Sequence, residues 1–281
     1  MKLKELKNLF NNELKNIYSR EESQTILNYI LIDALKIPKL TILSQPELEL
    51  NTNQSEKVHT LLDDLKKGIP VQHLLGTAHF YGMMLKVTPD VLIPRQETEE
   101  LVDWVIKDNP GAKLRILDAC TGSGCIALAL KKNLTESAIT AIDESEEALV
   151  IAEENAKVLN LAINFKKADA LNLEQELKNH SYDVIVSNPP YIPMEDMEHV
   201  QKNVLMYEPH FALFVLDKAP LMFYEAIARF ARKSIAVTLY FEIYEDFGEK
   251  LVELLSNMGF KDITLKTDLN GKDRMIKCSY F

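Results

Sequence analysis

Ile116-Leu117-Asp118-Ala119-Cys120-Thr121-Gly122-Ser123-Gly124-Cys125-Ile126-Ala127 runs from one apolar stretch through a glycine turn into another. The first stretch predicts a strand over 114–118 and the second a helix reaching residue 130. Gly122 and Gly124 let the backbone turn sharply and admit a ligand close to the chain. The helix start behind them offers main-chain N–H groups that have no partner within the helix. A Gly-x-Gly pair alone also describes an ordinary tight turn. Its place adds meaning, because open parallel sheets bind ligands at the first strand-to-helix turn.

Working outward, a helix over 97–107 precedes this turn. A strand over 139–143, a helix over 146–159 and strands over 163–167, 183–187, 235–241, 263–266 and 275–279 follow it. Strands alternating with helices imply a parallel sheet covered on both faces. The last two strands flank Asp268 to Lys272, a short Asn-Gly turn, so they are expected as antiparallel neighbours. An α/β domain with a seven-stranded, mostly parallel sheet and a C-terminal antiparallel strand is the Rossmann-like methyltransferase arrangement. Residues 1–75 read as helical: Ile26, Tyr29, Ile30, Ala34 and Leu35 form one stripe, and Val58, Leu61, Leu62 and Leu65 another. Asn51 to Gln54 reads as a loop between them. Phe80-Tyr81 and Met84 to Val87, separated by Gly82, read as a hairpin. The expected organisation is a small helical domain over 1–75, a β-hairpin connector over 76–95, and an α/β domain over 96–281 whose strand pattern resembles that of methyltransferases.

The 281 residues suit one large domain or two modest ones, and 47% hydrophobic with 26% charged residues excludes a disordered chain. Apolar runs such as 126–130 fall far short of the roughly 18 residues of a membrane span. The charged, amphipathic start MKLKELKNLFNNELKN is no signal peptide, so a cytoplasmic protein is expected, with no membrane partner. Charges cancel over residues 1–75, so the whole net charge of −10 falls beyond them. An acidic second half repels a phosphate backbone and argues against a nucleic-acid substrate. Cys120, Cys125 and Cys278 form no Cys-x-x-Cys pair and have no histidine at ligand spacing. Reduced thiols and no metal are expected. His73, His79 and His210 read as packing or hydrogen-bonding residues, and Trp104 as core.

Asp143 ends the second predicted strand about twenty residues past the glycines, where a carboxylate accepts hydrogen bonds from both ribose hydroxyls. Capping of the following helix is the alternative use. A nicotinamide dinucleotide prefers a third glycine where this chain has Ala127. S-adenosylmethionine carries no phosphate, and its cationic methionine end suits a carboxylate such as Asp118. The expected cofactor is therefore S-adenosylmethionine, leaving as S-adenosylhomocysteine.

The fourth strand ends in Asn188-Pro189-Pro190-Tyr191. Two prolines fix two φ angles and remove two donors, leaving main-chain carbonyls free to accept. Asn188 adds a side-chain oxygen, and Tyr191 a flat face. Two acceptors can hold the two hydrogens of a planar NH₂ group, and the ring can stack on its plane. An amide or aryl amine nitrogen is a poor nucleophile. Bonds from it to Asn188 Oδ1 and the Pro189 carbonyl draw density onto nitrogen and aim it at a sulfonium methyl. Catalysis is then alignment and stabilisation of growing positive charge, with no general base needed before transfer.

The chain resembles the HemK/PrmC family of protein-(glutamine-N5) methyltransferases that modify peptide-chain release factors. The likeness spans nearly the whole length. Besides the glycine turn and the Asn-Pro-Pro-Tyr corner it rests on Leu92 to Glu99, on Tyr207-Glu208-Pro209 followed by Ala212-Leu213, and on Asp268 to Arg274. The resemblance implies a cofactor held by Thr121, Gly122, Ser123 and Gly124, by Asp143 and by the Asp169-Ala170 turn. It implies a substrate amide on Asn188, Pro189, Pro190 and Tyr191, namely the glutamine of the Gly-Gly-Gln release-factor tip. Two positions depart from the family: Cys120 stands where it usually has Gly, and Gln96 where it has Pro. A side chain at 120 has room to crowd the methionine end or reason to demand a negative φ, but Cys120 is small and is expected to be tolerated.

Arg95, Glu97 and Glu99 either line the mouth of the site or form surface helix pairs. Two other functions fit the motifs less fully. One is an adenine-N6 or other nucleic-acid amino methyltransferase, which shares the Asn-Pro-Pro-Tyr corner. The other is a non-catalytic binding protein on the same fold, supported by Cys120 alone.

Overall fold

The structure, a computed structural model, describes residues 1–178, 180–234 and 236–281. The chain forms two compact units: Met1–Thr77 with Gln201–Tyr207, and Ala78–Val200 with Glu208–Phe281. Among the described residues no helix is long and apolar enough to cross a membrane.

The first unit consists of helices Leu3–Glu13, Arg20–Tyr29, Lys39–Ser44, Thr52–Leu65, Val71–Leu75 and, from far along the chain, Lys202–Tyr207. Leu6, Phe10, Leu27, Ile30, Leu31, Val58 and Leu65 make its core. The stripe from Ile26 to Leu35 crosses into a π-helical turn, Ile30–Ala34, where Leu35 N donates to Ile30 O at 3.1 Å. Asn51 to Gln54 is not the expected loop. Asn51 Oδ1 accepts from Gln54 N at 2.9 Å and Gln54 Oε1 accepts from Asn51 N at 3.1 Å. This reciprocal cap starts the helix at Thr52, so polar residues that resemble a loop are a helix N-terminus. The late helix is tied in by Tyr207, whose hydroxyl donates to Lys67 O at 3.1 Å.

A two-stranded hairpin, β1 (Thr77–Phe80) and β2 (Met83–Lys86), leads into the second unit. It turns at Tyr81 and Gly82, both with positive φ, 46° and 68°, as a two-residue hairpin requires. The following strands are β3 (Arg115–Ala119), β4 (Ala138–Asp143), β5 (Asn164–Lys167), β6 (Val184–Ser187), β7 (Ile192–Pro193), β8 (Phe214–Val215), β9 (Val237–Glu242), β10 (Lys261–Thr267) and β11 (Asp273–Tyr280). The predicted strand start at Ile235 lies outside the described residues. The main sheet has seven strands in the order β10-β11-β9-β6-β3-β4-β5. Its pairs are parallel except those of β11, which runs antiparallel to both β9 and β10. The expected Rossmann-like arrangement is thus the observed one.

Both sheet faces are covered. Leu117, Ile142, Ile185 and Leu239 point to a core shared with helix Met222–Ala231, while Ile116, Ala141, Val184, Val186 and Tyr240 point to one shared with helices Gln96–Asp108 and Cys125–Asn133. Adjacent strand residues face opposite ways, so double burial demands unbroken apolar runs such as Val184-Ile185-Val186. The chain moves outward from β3 through β4 to β5, then returns to β6 on the other side of β3. A crevice opens at that reversal, beyond the C-terminal strand ends. The short parallel pair β7–β8, which has no signal in the sequence, anchors the chain just past β6. Tyr191 N and Ile192 N both donate to Leu213 O, at 3.2 and 3.0 Å.

Candidate active site

The glycine turn leaves β3 and enters helix Cys125–Asn133. Asp118 is fully buried beneath it. Its Oδ2 accepts from Thr121 Oγ1 at 2.6 Å and from Ala127 N at 3.1 Å. Among the described residues Oδ1 has no hydrogen-bond partner, and burial pushes the carboxyl up to about 7. Asp118 therefore holds the turn from within, not from the cleft wall where the sequence suggests it. Thr121 and Ser123 are buried as well; Thr121 N donates to Ile142 O at 2.9 Å and Ser123 O accepts from Asn155 Nδ2 at 3.0 Å.

The two glycines do different work. Gly124 has φ +82, and a Cβ there would meet Ala152 Cβ at 3.1 Å and Leu128 Cδ1 at 3.2 Å. It is needed for close packing of two helices. Gly122 has φ +53, and a Cβ there would meet nothing within 4 Å. It faces a cleft. Cys120 keeps φ +62, so the turn holds this small side chain without a shift to negative φ. The turn imposes a left-handed conformation costing about 1–2 kcal/mol for a residue with a Cβ. Burial pushes its thiol well up.

Asp143, at the end of β4, accepts from Gly122 N at 2.8 Å on Oδ2 and from Ser145 N at 3.0 Å on Oδ1. Local capping and a cleft-facing position coexist: each oxygen has a further lone pair. Asp169 caps its own turn, accepting from Leu171 N at 2.8 Å and Asn172 Nδ2 at 2.6 Å.

One cleft joins these pieces to the di-proline corner. Cys120, Gly122, Asp143, Asp169, Ala170, Asn188 and Pro190 all line it. Thr121, Ser123, Gly124, Pro189 and Tyr191 stand outside the lining, as does Asp118. Asp90, Val91, Leu92, Glu144, Ala148, Phe211, Ala212 and Phe223 also line it, and sequence reasoning misses them as site residues. They come from loops and helix starts far apart in the chain, and although Leu92 and Ala212 belong to segments that resemble the family, nothing local in those segments marks either as a cleft residue. Glu208, also buried, holds the segment that follows the cleft-lining residues 90–92: Oε2 accepts from Ile93 N at 3.0 Å and Oε1 from Arg95 at 2.5 Å. Arg95 is thus a buttress for Glu208, outside the cleft lining. Glu99 accepts from Tyr81 N at 2.8 Å and steadies the hairpin.

At the corner, Asn188 Nδ2 donates to Thr98 Oγ1 at 3.2 Å. Thr98 donates in turn to Glu242 Oε2 at 2.6 Å, and Tyr191 donates to Glu242 Oε1 at 3.1 Å. Ser187 Oγ donates to Ala119 O at 2.6 Å, tying β6 to β3 just before the corner. Tyr191 is held by its hydroxyl, its ring tilted at 34° and 6.2 Å from that of Tyr244.

Comparison with known proteins agrees across the length. Residues 5–76 match the family described as PrmC N-terminal domain, and residues 98–207 that described as methyltransferase small domain. The release factor glutamine methyltransferase of Flavobacterium psychrophilum is 40% identical, with 100% of each chain covered. Its namesake from Bacteroides thetaiotaomicron is 38% identical over 94% of this chain and 95% of that one. The one from Streptococcus pneumoniae is 39% identical over 98% of both. Among solved structures, the hMettl16 catalytic domain in complex with an RNA hairpin, MAT2A 3'UTR hairpin 6, aligns with a TM-score of 0.54. It is 17% identical over 71% of this chain and 76% of that one, a likeness of fold.

Proposed function

The chain belongs to the release factor glutamine methyltransferase family, and from that premise we propose that it methylates the side-chain amide nitrogen of the glutamine in the Gly-Gly-Gln motif of peptide-chain release factors, using S-adenosylmethionine. The observation that carries this reading is the single cleft running from Gly122 to Asn188. Cofactor and acceptor must share one space for in-line transfer.

The residues present fit the cofactor. Beside Gly122, with its φ of +53, lies open space that a Cβ would fill, so main chain can approach the ligand closely. Asp143 presents a carboxylate already fixed by two N–H donors and able to accept ribose hydroxyls. Asp169 and Ala170 would border the adenine. Cys120 and Gly122 would border the methionine end, with Asp118, Thr121, Ser123 and Gly124 keeping the turn in shape behind them. Bound S-adenosylmethionine supplies an electrophilic methyl group on a sulfonium.

This chain's own contribution is at the nitrogen. Asn188 Oδ1 and the Pro189 carbonyl accept the two amide hydrogens, fix the plane of the group and hold positive charge as it grows on nitrogen. Pro190 stiffens the corner, and Tyr191 supplies a face beside it. The proton leaves after transfer. The helical unit over the N-terminal residues would dock the protein substrate, acting where translation takes place, in the cytoplasm.

Incubation with methyl-labelled S-adenosylmethionine and, separately, release factor, DNA and RNA tests the reading. Label on the release-factor glutamine is expected. Label on nucleic acid but not on release factor overturns it.

A further inference from the structure

Asn188 can serve an NH₂ group only if its oxygen, not its own NH₂, faces the cleft. The side chain is nearly symmetric in shape, so sterics alone do not choose between the two orientations. What chooses lies behind it. Glu242 ends β9, directly beside β6, where Phe241 pairs with Ser187. Its side chain is buried, with Thr98 donating to one oxygen and Tyr191 to the other. Thr98 sits in the first turn of helix Gln96–Asp108 and is also buried. Burial and the Glu97 charge raise the Glu242 carboxyl, the two hydroxyl donors and the Arg274 guanidinium hold that rise back, and a hydroxyl hydrogen directed at each oxygen fits the carboxylate form.

An ionised carboxylate only accepts. Thr98 has one hydroxyl hydrogen, and Glu242 takes it. Towards Asn188, Thr98 can then only accept, so Asn188 must turn its NH₂ to Thr98 and its Oδ1 to the cleft. The polarity of the whole chain of bonds follows from one buried charge.

We propose that Glu242 and Thr98 are positioning residues that set the orientation of the Asn188 amide, and thereby make the corner select a hydrogen-donating amide over a carboxylate. This rests on the reading of Asn188 as the substrate's acceptor and names what enforces it. Glu242→Gln tests it with little change of shape. A neutral amide at 242 can donate to Thr98, freeing Thr98 to donate to Asn188 Oδ1 and turning the Asn188 NH₂ into the cleft.

The experiment measures methyl transfer to release factor, cofactor affinity and thermal unfolding for the parent protein, Glu242→Gln, Thr98→Val and Thr98→Ser. Glu242→Gln and Thr98→Val are expected to lower kcat by about 100-fold with KM and cofactor affinity changing far less. Thr98→Ser, which restores the hydroxyl, should recover most of what Thr98→Val loses. Release factor whose tip glutamine is replaced by glutamate should inhibit Glu242→Gln more strongly, relative to its inhibition of the parent, by about tenfold. Should Glu242→Gln fail to fold, the two Thr98 variants decide. Parent-like turnover by Thr98→Val, or a Thr98→Ser as poor as Thr98→Val, overturns the proposal. The side-chain amide resonances of Asn188 report orientation without substrate. They should match between parent and Thr98→Ser and move in Thr98→Val; no movement overturns the proposal. If the parent itself leaves release factor unlabelled, the functional reading fails, and these resonances still decide the orientation.

Discussion

The two walls of the cleft are each backed by a buried carboxylate, and the two carboxylates act differently. Asp118 lies under the glycine turn and takes two bonds on one oxygen, from a side chain and a main-chain N–H. Glu242 lies behind the di-proline corner and takes one hydroxyl on each oxygen. Asp118 shapes a backbone, a task that requires acceptance and that any acceptor could perform. Glu242 sets the sense of a hydrogen-bond chain, a task that requires an acceptor unable to donate. Burying a carboxyl group is costly in both places, but only at the corner does a charge carry information.

Four measurements break or sharpen this contrast. Asn188→Ala should have the largest effect: transfer falls by about 10³-fold or more, while cofactor affinity, read by calorimetry, weakens much less. Next comes the acid dependence of Asp118, whose carboxyl is raised from 3.8 to about 7 in the folded chain. As pH climbs past 3.8 the unfolded chain releases this proton while the folded chain keeps it. Stability then falls at up to about 1.4 kcal/mol per pH unit until pH 7. Asp118→Asn, which retains an acceptor for Thr121 and Ala127, lacks this slope. In denaturant titrations its stability relative to the parent should rise between pH 4 and 7.

The glycines supply a third measurement. Gly124→Ala should destabilise by about 2–3 kcal/mol through strain and contact with Ala152. Gly122→Ala should cost about 1 kcal/mol in stability yet weaken cofactor binding about tenfold. The smallest effect is expected at Cys120, where the φ of +62 makes glycine the easier residue. Cys120→Gly should leave unfolding stability level or raise it by at most about 1 kcal/mol, read as an unchanged or slightly higher melting temperature.

What could be read without coordinates was what is local. The glycine turn, the corner over Asn188 to Tyr191 and the alternation of strands and helices are each written in adjacent residues, and each stands where expected. What escaped was what depends on facing or distance. Asp118 looked like a ligand because residue type was visible and its burial was not. Thr98 lies 90 residues from Asn188 along the chain and 144 from Glu242. Each is an unremarkable member of its helix or strand until folding brings the three together. Asn51 to Gln54 was misread for the opposite reason: the polar residues that make a loop also make a helix cap, and only the reciprocal bonds tell them apart.

The placement of Gln201–Tyr207 in the first unit has a consequence for how the protein comes into being. The helical unit draws on residues 1–77 and again on 201–207, so a nascent chain must extrude well over half of its length before that unit can close. Residues 1–77 released on their own would lack the turn of helix that Tyr207 fastens to Lys67. Biosynthesis therefore couples the two units in time, even though each has its own core.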